Sequence, residues 1–267
     1  MTSSFRSQSP WVVESRGAWS VIAFRPAGPA YINHRDMEQL DALLLDLESD
    51  GCRAVVLTGE DDAFIQHADL EDLEAMVAGQ AASGDPHAWI RVCKRLDRGP
   101  MLSVAAVNGE CGGGGLEIAL TCSLRIASAN ARFSFPEAAL GLVPAVASHR
   151  AIAELSEARV LDLLLTGRVL SAGEALDWGL VSRVCSASSL IDNASNLVEA
   201  VIALDPEVVE GIRGLVREGR NPATLDVMKT QGRLWSDLVH RDTGLARLRE
   251  AIGSGRGSLT RNDRGWD

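Results

Sequence analysis

The segment "NGECGGGGLEIAL", Asn108 to Leu120, sets four consecutive glycines, Gly112 to Gly115, between an apolar run and a helix-like run carrying a single glutamate, Glu117. Bare backbone ahead of a helix permits close approach, either of a ligand or of another part of the chain. The preceding run, Val104 to Val107, is short, apolar and bounded by Asn108-Gly109, the pattern of a buried strand. A phosphate loop of the GxxxxGK[ST] type would need a lysine that does not follow. A dinucleotide fingerprint GxGxxG would need a glycine where Glu117 or Ile118 stands. What remains is a strand, a turn and a helix whose first amides have no intrahelical partner. Such amides can face negative charge developing on a carbonyl oxygen, and the helix dipole adds its positive end. Glycine would let a substrate carbonyl approach without a Cβ in the way. Glu117 follows Gly114 by three residues and projects near the same face, where a carboxylate is a general acid or base candidate. The segment alone is equally compatible with glycines that serve helix–sheet packing and a glutamate that is solvated.

The surroundings have the grammar of a parallel α/β sheet. "WVVESRGAWSVIAF" reads as a hairpin around Arg16-Gly17, and "RAVVLTG" (Arg53 to Gly59) and "MLSVAAVNG" (Met101 to Gly109) as buried strands. Between them "MEQLDALLLDLESDG" spaces Leu40, Leu43, Leu44 and Leu47 as a helix does and stops at Gly51. "LRIASANARFSFPEAALGLVP" reads as two short strands with a turn at Ala129-Asn130. In "LSAGEALDWGLVSRV", Ser171 and Glu174 have capping-box spacing, so Ser171 should open a helix that Gly179 closes. Further helices are expected from Asp192, broken at Asp205-Pro206 and Asn221-Pro222. These readings predict an α/β core over 1–191, a C-terminal helical region over 192–253 and a loose tail over 254–267.

The 267 residues carry a net charge of −10, which disfavours nucleic acid as a partner, because counterion release needs a cationic face. A polyphosphate-bearing ligand would have to be held by local groups. No apolar run reaches the roughly 18 residues of a membrane span, and "MTSSFRSQSP" lacks the order of a signal peptide, so a cytoplasmic protein without membrane contact is expected. Cys52, Cys93, Cys111, Cys122 and Cys185 are odd in number and show no CxxC pair, which fits reduced, buried thiols. His34, His67, His87, His149 and His240 show no HExxH spacing, and no metal is expected.

A second loop repeats the first. "FIQHADLEDL", Phe64 to Leu73, follows the Val55 to Thr58 strand, with Asp69 placed to cap a helix and Ala68 just before it. Two such loops on neighbouring parallel strands would lie at one end of the sheet. "FPEAALGLVP" then supplies Glu137 after a proline, where a central strand cannot continue.

With "RAVVLTGEDDAFIQHADL", "VAAVNGECGGGGLEIALTCSLRIASANARFSFPEAALGLVP" and "LLLTGRVLSAGEALDWGLVSRV" in this order and spacing, the chain from about Trp19 to Val184 resembles the crotonase, or enoyl-CoA hydratase/isomerase, superfamily. The resemblance implies a crotonase-like spiral of β-β-α units with a C-terminal helical trimerisation region. It implies that the backbone N–H groups of Ala68 and Gly114 form an oxyanion hole, that Glu117 and Glu137 are the catalytic pair, and that Gln66, His67, Asp69, Leu70, Gly113 and His149 bind substrate. The expected substrate is a thioester of coenzyme A or of acyl-carrier protein, with no separate cofactor and no metal. The expected activity is hydration or dehydration. Isomerisation, decarboxylation, hydrolysis, C–C cleavage and a non-catalytic thioester-binding role are the alternatives.

Four departures from the family pattern bear on the pocket. "AYI", Ala30 to Ile32, stands where "NAL" is usual, a change that backbone contacts to coenzyme A could survive. "PAVASHR", Pro144 to Arg150, stands where a glycine-rich loop is usual, and His149 in it is a candidate acyl contact. "IQHAD" puts Gln66 and His67 where small residues are usual, and Glu110 adds a third carboxylate nearby. Apolar residues at helical spacing, Val208, Val209, Ile212, Leu215 and Val216, predict a stripe that covers either the chain's own sheet or a neighbouring subunit, and the resemblance implies that it joins subunits into a homotrimer or hexamer.

Overall fold

The computed structural model describes residues 9–144, 150–151, 153–218, 246, 249–250 and 252–253. The expected break at Asn221-Pro222 and the tail over 254–267 lie outside them. The strands are β1 (Trp11–Ser15), β2 (Trp19–Phe24), β3 (Tyr31–Ile32), β4 (Ala54–Gly59), β5 (Ala63–Ile65), β6 (His67–Ala68), β7 (Leu102–Val107), β8 (Glu110–Gly112), β9 (Leu124–Ser128), β10 (Arg132–Ser134), β11 (Leu170–Ser171) and β12 (Arg183–Cys185). The helices are α1 (His34–Ser49), α2 (Leu70–Val77), α3 (His87–Arg98), α4 (Gly113–Thr121), α5 (Glu157–Thr166), α6 (Ala172–Trp178), α7 (Leu190–Ile202) and α8 (Pro206–Glu218).

Six strands form one sheet in the order β1-β2-β4-β7-β9-β12. Only β1 runs antiparallel, through the hairpin at Gly17, whose φ is +76°. The central strands are buried on both faces, which explains their continuous apolar runs. In β4, Val55 and Leu57 point into the main core with α1, α3 and α4, whereas Ala54 and Val56 point at Leu190, Ala194 and Val198 of α7. A four-stranded sheet, β11-β10-β8-β5, and the pair β3-β6 lie beside the first. β9 and β10 flank the expected turn at Ala129-Asn130 but do not pair with each other: β9 joins β7 and β12, and β10 joins β8 and β11. The turn therefore carries the chain from one sheet to the other.

Local chemistry sets the helix ends. Asn33 and Asp36 form a capping box at α1, and Gly51, at φ +77°, follows its end. Ser171 and Glu174 form the box expected at α6, and Gly179 closes that helix at φ +83°. α7 begins before residue 192 and packs across the sheet. α8 begins at Pro206 and is tied to the body by Arg213, which donates to Gly99 O and Pro100 O, and by Arg217, which donates to Asp97 O. All five cysteines are free, with Cys93, Cys111 and Cys122 buried. Among the described residues no helix is long and apolar enough to cross a membrane.

Removing the hydroxyl that caps α6 leaves its first amides without a side-chain acceptor. Ser171→Ala is expected to lower unfolding free energy by about 1 kcal/mol, read as a shifted urea midpoint at unchanged slope.

Candidate active site

The site forms where three segments leave their strands side by side. β4 and β7 are parallel neighbours, so the chain leaves both at the same end of the sheet. After β4 it runs through β5 and β6 into α2, and after β7 through β8 into α4. β5 pairs with β8, Ala63 opposite Glu110 and Ile65 opposite Cys111, which sets the two segments in register. β10 pairs with the other edge of β8, Ser134 opposite Gly112, and the 3-10 turn Glu137–Leu140 follows it. Glu137 thus reaches the N-terminus of α4 from the far side.

The four glycines allow this convergence. A Cβ at Gly112 would collide with the Gln66 carbonyl, and one at Gly115 with the Ile65 carbonyl. At Gly114 it would lie 2.6 Å from Trp89 Cη2 and 3.6 Å from Ala68 Cβ. At Gly113, whose φ is +47°, it would lie 2.8 Å from Glu137 Oε1 and 3.5 Å from His67 Cβ. Packing against other parts of the chain, the alternative left open by the sequence, accounts for all four. Approach of a substrate is not needed to explain them. The consequence is that α4 starts with Gly113, Gly114 and Gly115 pressed against the segment from Ile65 to Ala68. N-cap Gly112 offers no side-chain acceptor to the amides of that first turn.

α4 is buried from Gly113 through Thr121, and Glu117 within it is only 8% exposed, so the solvated-helix reading of Glu117 does not hold. Burial and then the Glu117 carboxylate push the Glu137 carboxyl up from 4.5 to about 8. The Glu137 residue is partly exposed, but its Oε2 is shielded from solvent and has no hydrogen-bond partner among the described residues. A buried carboxyl oxygen without a partner favours the protonated form.

The other expected site residues are placed as follows. Ala68 lies in β6, opposite Ile32. Gln66 Nε2 donates to Glu110 Oε2 at 2.5 Å, which joins two of the departures noted in the sequence. His67 is buried, stacks on Tyr31 with ring centroids 4.0 Å apart, and lies 2.7 Å through Nδ1 from Ala68 O. Asp69 caps α2 by accepting from the amides of Glu71 and Asp72. Leu70 packs with Leu73 and Val77 on Leu140 and Leu142. His149 lies outside the described residues. Tyr31 enters the site from "AYI", one of the departures noted in the sequence, and Trp89 was missed. The signal for Trp89 was Ala88, Val92, Cys93 and Leu96, which are buried at helical spacing in α3. Among the described residues no group of three or more His, Cys, Asp or Glu side chains could hold a metal ion.

Fold and site together define an α/β protein in which a buried, glycine-rich helix start meets paired carboxylates. The family model for enoyl-CoA hydratase/isomerase matches residues 24–250. The short-chain-enoyl-CoA hydratase of Clostridium acetobutylicum is 30% identical over 213 residues, 78% of this chain and 81% of that protein. The carnitinyl-CoA dehydratase of Proteus mirabilis (strain HI4320) is 41% identical over 115 residues, 43% of this chain and 44% of that protein, so this match spans less than half of either. Among solved structures, an enoyl-CoA hydratase/isomerase from Pseudoalteromonas atlantica T6c superposes with a TM-score of 0.82 at 28% identity, covering 93% of this chain and 98% of that one. A carnitinyl-CoA hydratase from Mycobacterium avium gives 0.81 at 26% identity, covering 93% and 97%. The chain belongs to the enoyl-CoA hydratase/isomerase family.

Gly114→Ala should push the Trp89 indole aside and destabilise the fold by about 1–3 kcal/mol. Trp89→Leu in the same chain should restore part of that loss, as read by denaturant unfolding. Equal loss in the single and double variants would show that Trp89 is not what Gly114 accommodates.

Proposed function

We propose that this chain is a lyase that adds water to, or removes it from, the double bond of an enoyl thioester. The observation that carries this reading is the Glu137 carboxyl, with its buried Oε2 and its pKa raised to about 8, beside the uncapped first turn of α4 and the buried Glu117. A carboxyl protonated near neutrality can deliver a proton, and a second carboxyl nearby can accept one.

In the hydration direction, Glu117 takes a proton from water as the water oxygen bonds to Cβ of the acyl group. The electron pair of the double bond moves onto the thioester, giving an enolate. Its oxygen accepts hydrogen bonds from the Ala68 and Gly114 amides, a contribution on the order of several kcal/mol in a water-excluded site. Glu137 then gives its proton to Cα. The two carboxyls have exchanged protonation states and must be reset before the next turnover. Dehydration is the same path reversed. The names of the Clostridium acetobutylicum and Proteus mirabilis relatives support a coenzyme A thioester as substrate and support both directions of the reaction.

A panel of enoyl- and 3-hydroxyacyl-CoA thioesters, with products identified by mass spectrometry, tests this reading. Conversion of at least one with gain or loss of water supports it. Products of isomerisation, decarboxylation or hydrolysis, or tight binding without turnover, would replace it. Glu117→Gln and Glu137→Gln should each reduce turnover by about two orders of magnitude or more with the fold intact.

The raised Glu137 carboxyl also fixes a pH dependence. The folded state holds this proton up to about pH 8, whereas the unfolded chain releases it near 4.5. The folded state therefore binds more protons between those values, and this group's contribution to stability falls as pH rises through that window. Above about pH 8, hydration should decline as the donor is lost. In Glu137→Gln the stability slope assigned to this group should disappear.

For assembly, we propose a homotrimer or hexamer joined through α8. Val208, Ile212, Leu215 and Val216 are exposed, Leu215 by 72%, while Arg213 and Arg217 hold the helix to the body by polar contacts. Light scattering at micromolar concentration decides it, and the mass of a single 28.5 kDa chain would overturn it.

A further inference from the structure

His67 lies in the segment that meets the start of α4 in the site. On one side its Cβ lies beside Gly113, 3.5 Å from where a Cβ there would stand. On the other its Nδ1 lies 2.7 Å from the carbonyl oxygen of the adjacent Ala68. A carbonyl oxygen can only accept, so Nδ1 carries the hydrogen and donates it. The residue is 6% exposed, and its ring stacks on Tyr31 at an interplanar angle of 21°.

The next backbone bond completes a clamp. The peptide group between Ala68 and Asp69 has its oxygen held by His67 and its nitrogen donating to Ile32 O at 2.8 Å. Upstream, the Gln66 amide donates to Ala30 O at 2.8 Å. The Ala68 N–H lies between these fixed points, and its direction follows from the rotations about the bonds on either side of it. The hydrogen bond from His67 adds a second restraint on the Ala68–Asp69 peptide group beside the bond from the Asp69 amide to Ile32 O. A residue without a donor at this position would leave that peptide group held by the Asp69 amide alone.

We propose that His67 is a positioning residue: clamped by Tyr31, it holds the Ala68 carbonyl and so sets the direction of the Ala68 amide, which makes the Ala68 and Gly114 amides converge on one oxygen. This role differs from substrate contact and rests on the hydratase reading above. Convergence on a developing oxyanion matters in the transition state more than in the ground state, so its loss should appear in kcat and leave KM nearly unchanged.

The experiment compares wild type, His67→Ala, His67→Asn and Tyr31→Leu on an enoyl-CoA thioester that the wild type hydrates, with circular dichroism and melting curves recorded on each. An asparagine amide can stand near the place of Nδ1 and still donate to Ala68 O. His67→Ala should lose about tenfold to a hundredfold in kcat, less than deleting a donor outright, with KM held. His67→Asn should recover most of the loss, and Tyr31→Leu should fall between. Affinity for a saturated acyl-CoA, which forms no enolate, should be the same in all four. Wild-type kcat in His67→Ala overturns the proposal, as does a change confined to KM, which would make His67 a substrate contact. A folded His67→Asn as impaired as His67→Ala shows that the hydrogen bond is not the cause. Failure of the wild type to hydrate any enoyl thioester is a separate outcome: it removes the hydratase reading itself, and this proposal with it.

Discussion

Everything in the site depends on one steric concession, the contact of two backbones without side chains between them. Gly112 and Gly115 touch the carbonyls of Gln66 and Ile65, and no residue with a Cβ could do so without moving a strand. Because the contact is made, the N-terminus of α4 and the end of β6 lie against each other. Had α4 stood off by one side chain, the Ala68 and Gly114 amides would not share a neighbourhood. Glycine is helix-destabilising, by roughly 1 kcal/mol relative to alanine in a helix interior, and the burial of Leu116, Ile118, Ala119 and Leu120 offsets this.

A helix buried along its whole length also needs its carbonyl end satisfied, and this is done by two buried arginines. Arg150 donates to Leu120 O through Nε at 3.0 Å and Nη2 at 2.8 Å, and Arg125 reaches Leu120 O and Cys122 O. Asp97 and Glu154 balance their charge. Cations at this end complement the helix dipole. The positive end is left for the site, where Glu137 sits protonated near neutrality. The arrangement is thus polarised along α4, with fixed cations behind it and titratable carboxyls in front.

Elements whose cause is local were legible in the sequence. The hairpin at Gly17, the strands β4 and β7, and the Ser171–Glu174 box with Gly179 follow from apolar runs, a cap and a left-handed glycine within a few residues of one another. So was the placing of Asp69 as a cap. The short strands β3, β5, β6 and β8 were not legible, because two or three residues carry no periodicity and exist only through their partners. The same holds for the switch of sheets between β9 and β10. Trp89 was passed over because an aromatic residue on an amphipathic helix looks like any other core residue until the helix is docked.

The sequence by itself determined the family, the identity of both glutamates as the residues to watch, and the parallel α/β grammar. These rest on motif order and on local chemistry, which the chain carries wherever it goes. Only the tertiary structure decided why the glycines are there, since a Cβ has to meet something before its absence means anything. It also decided that Glu117 is buried and that Glu137 holds its proton toward neutral pH, because a pKa shift measures the distance from water and from other charges. No stretch of sequence contains that distance. It arises when strands far apart in the chain are hydrogen-bonded into one sheet edge.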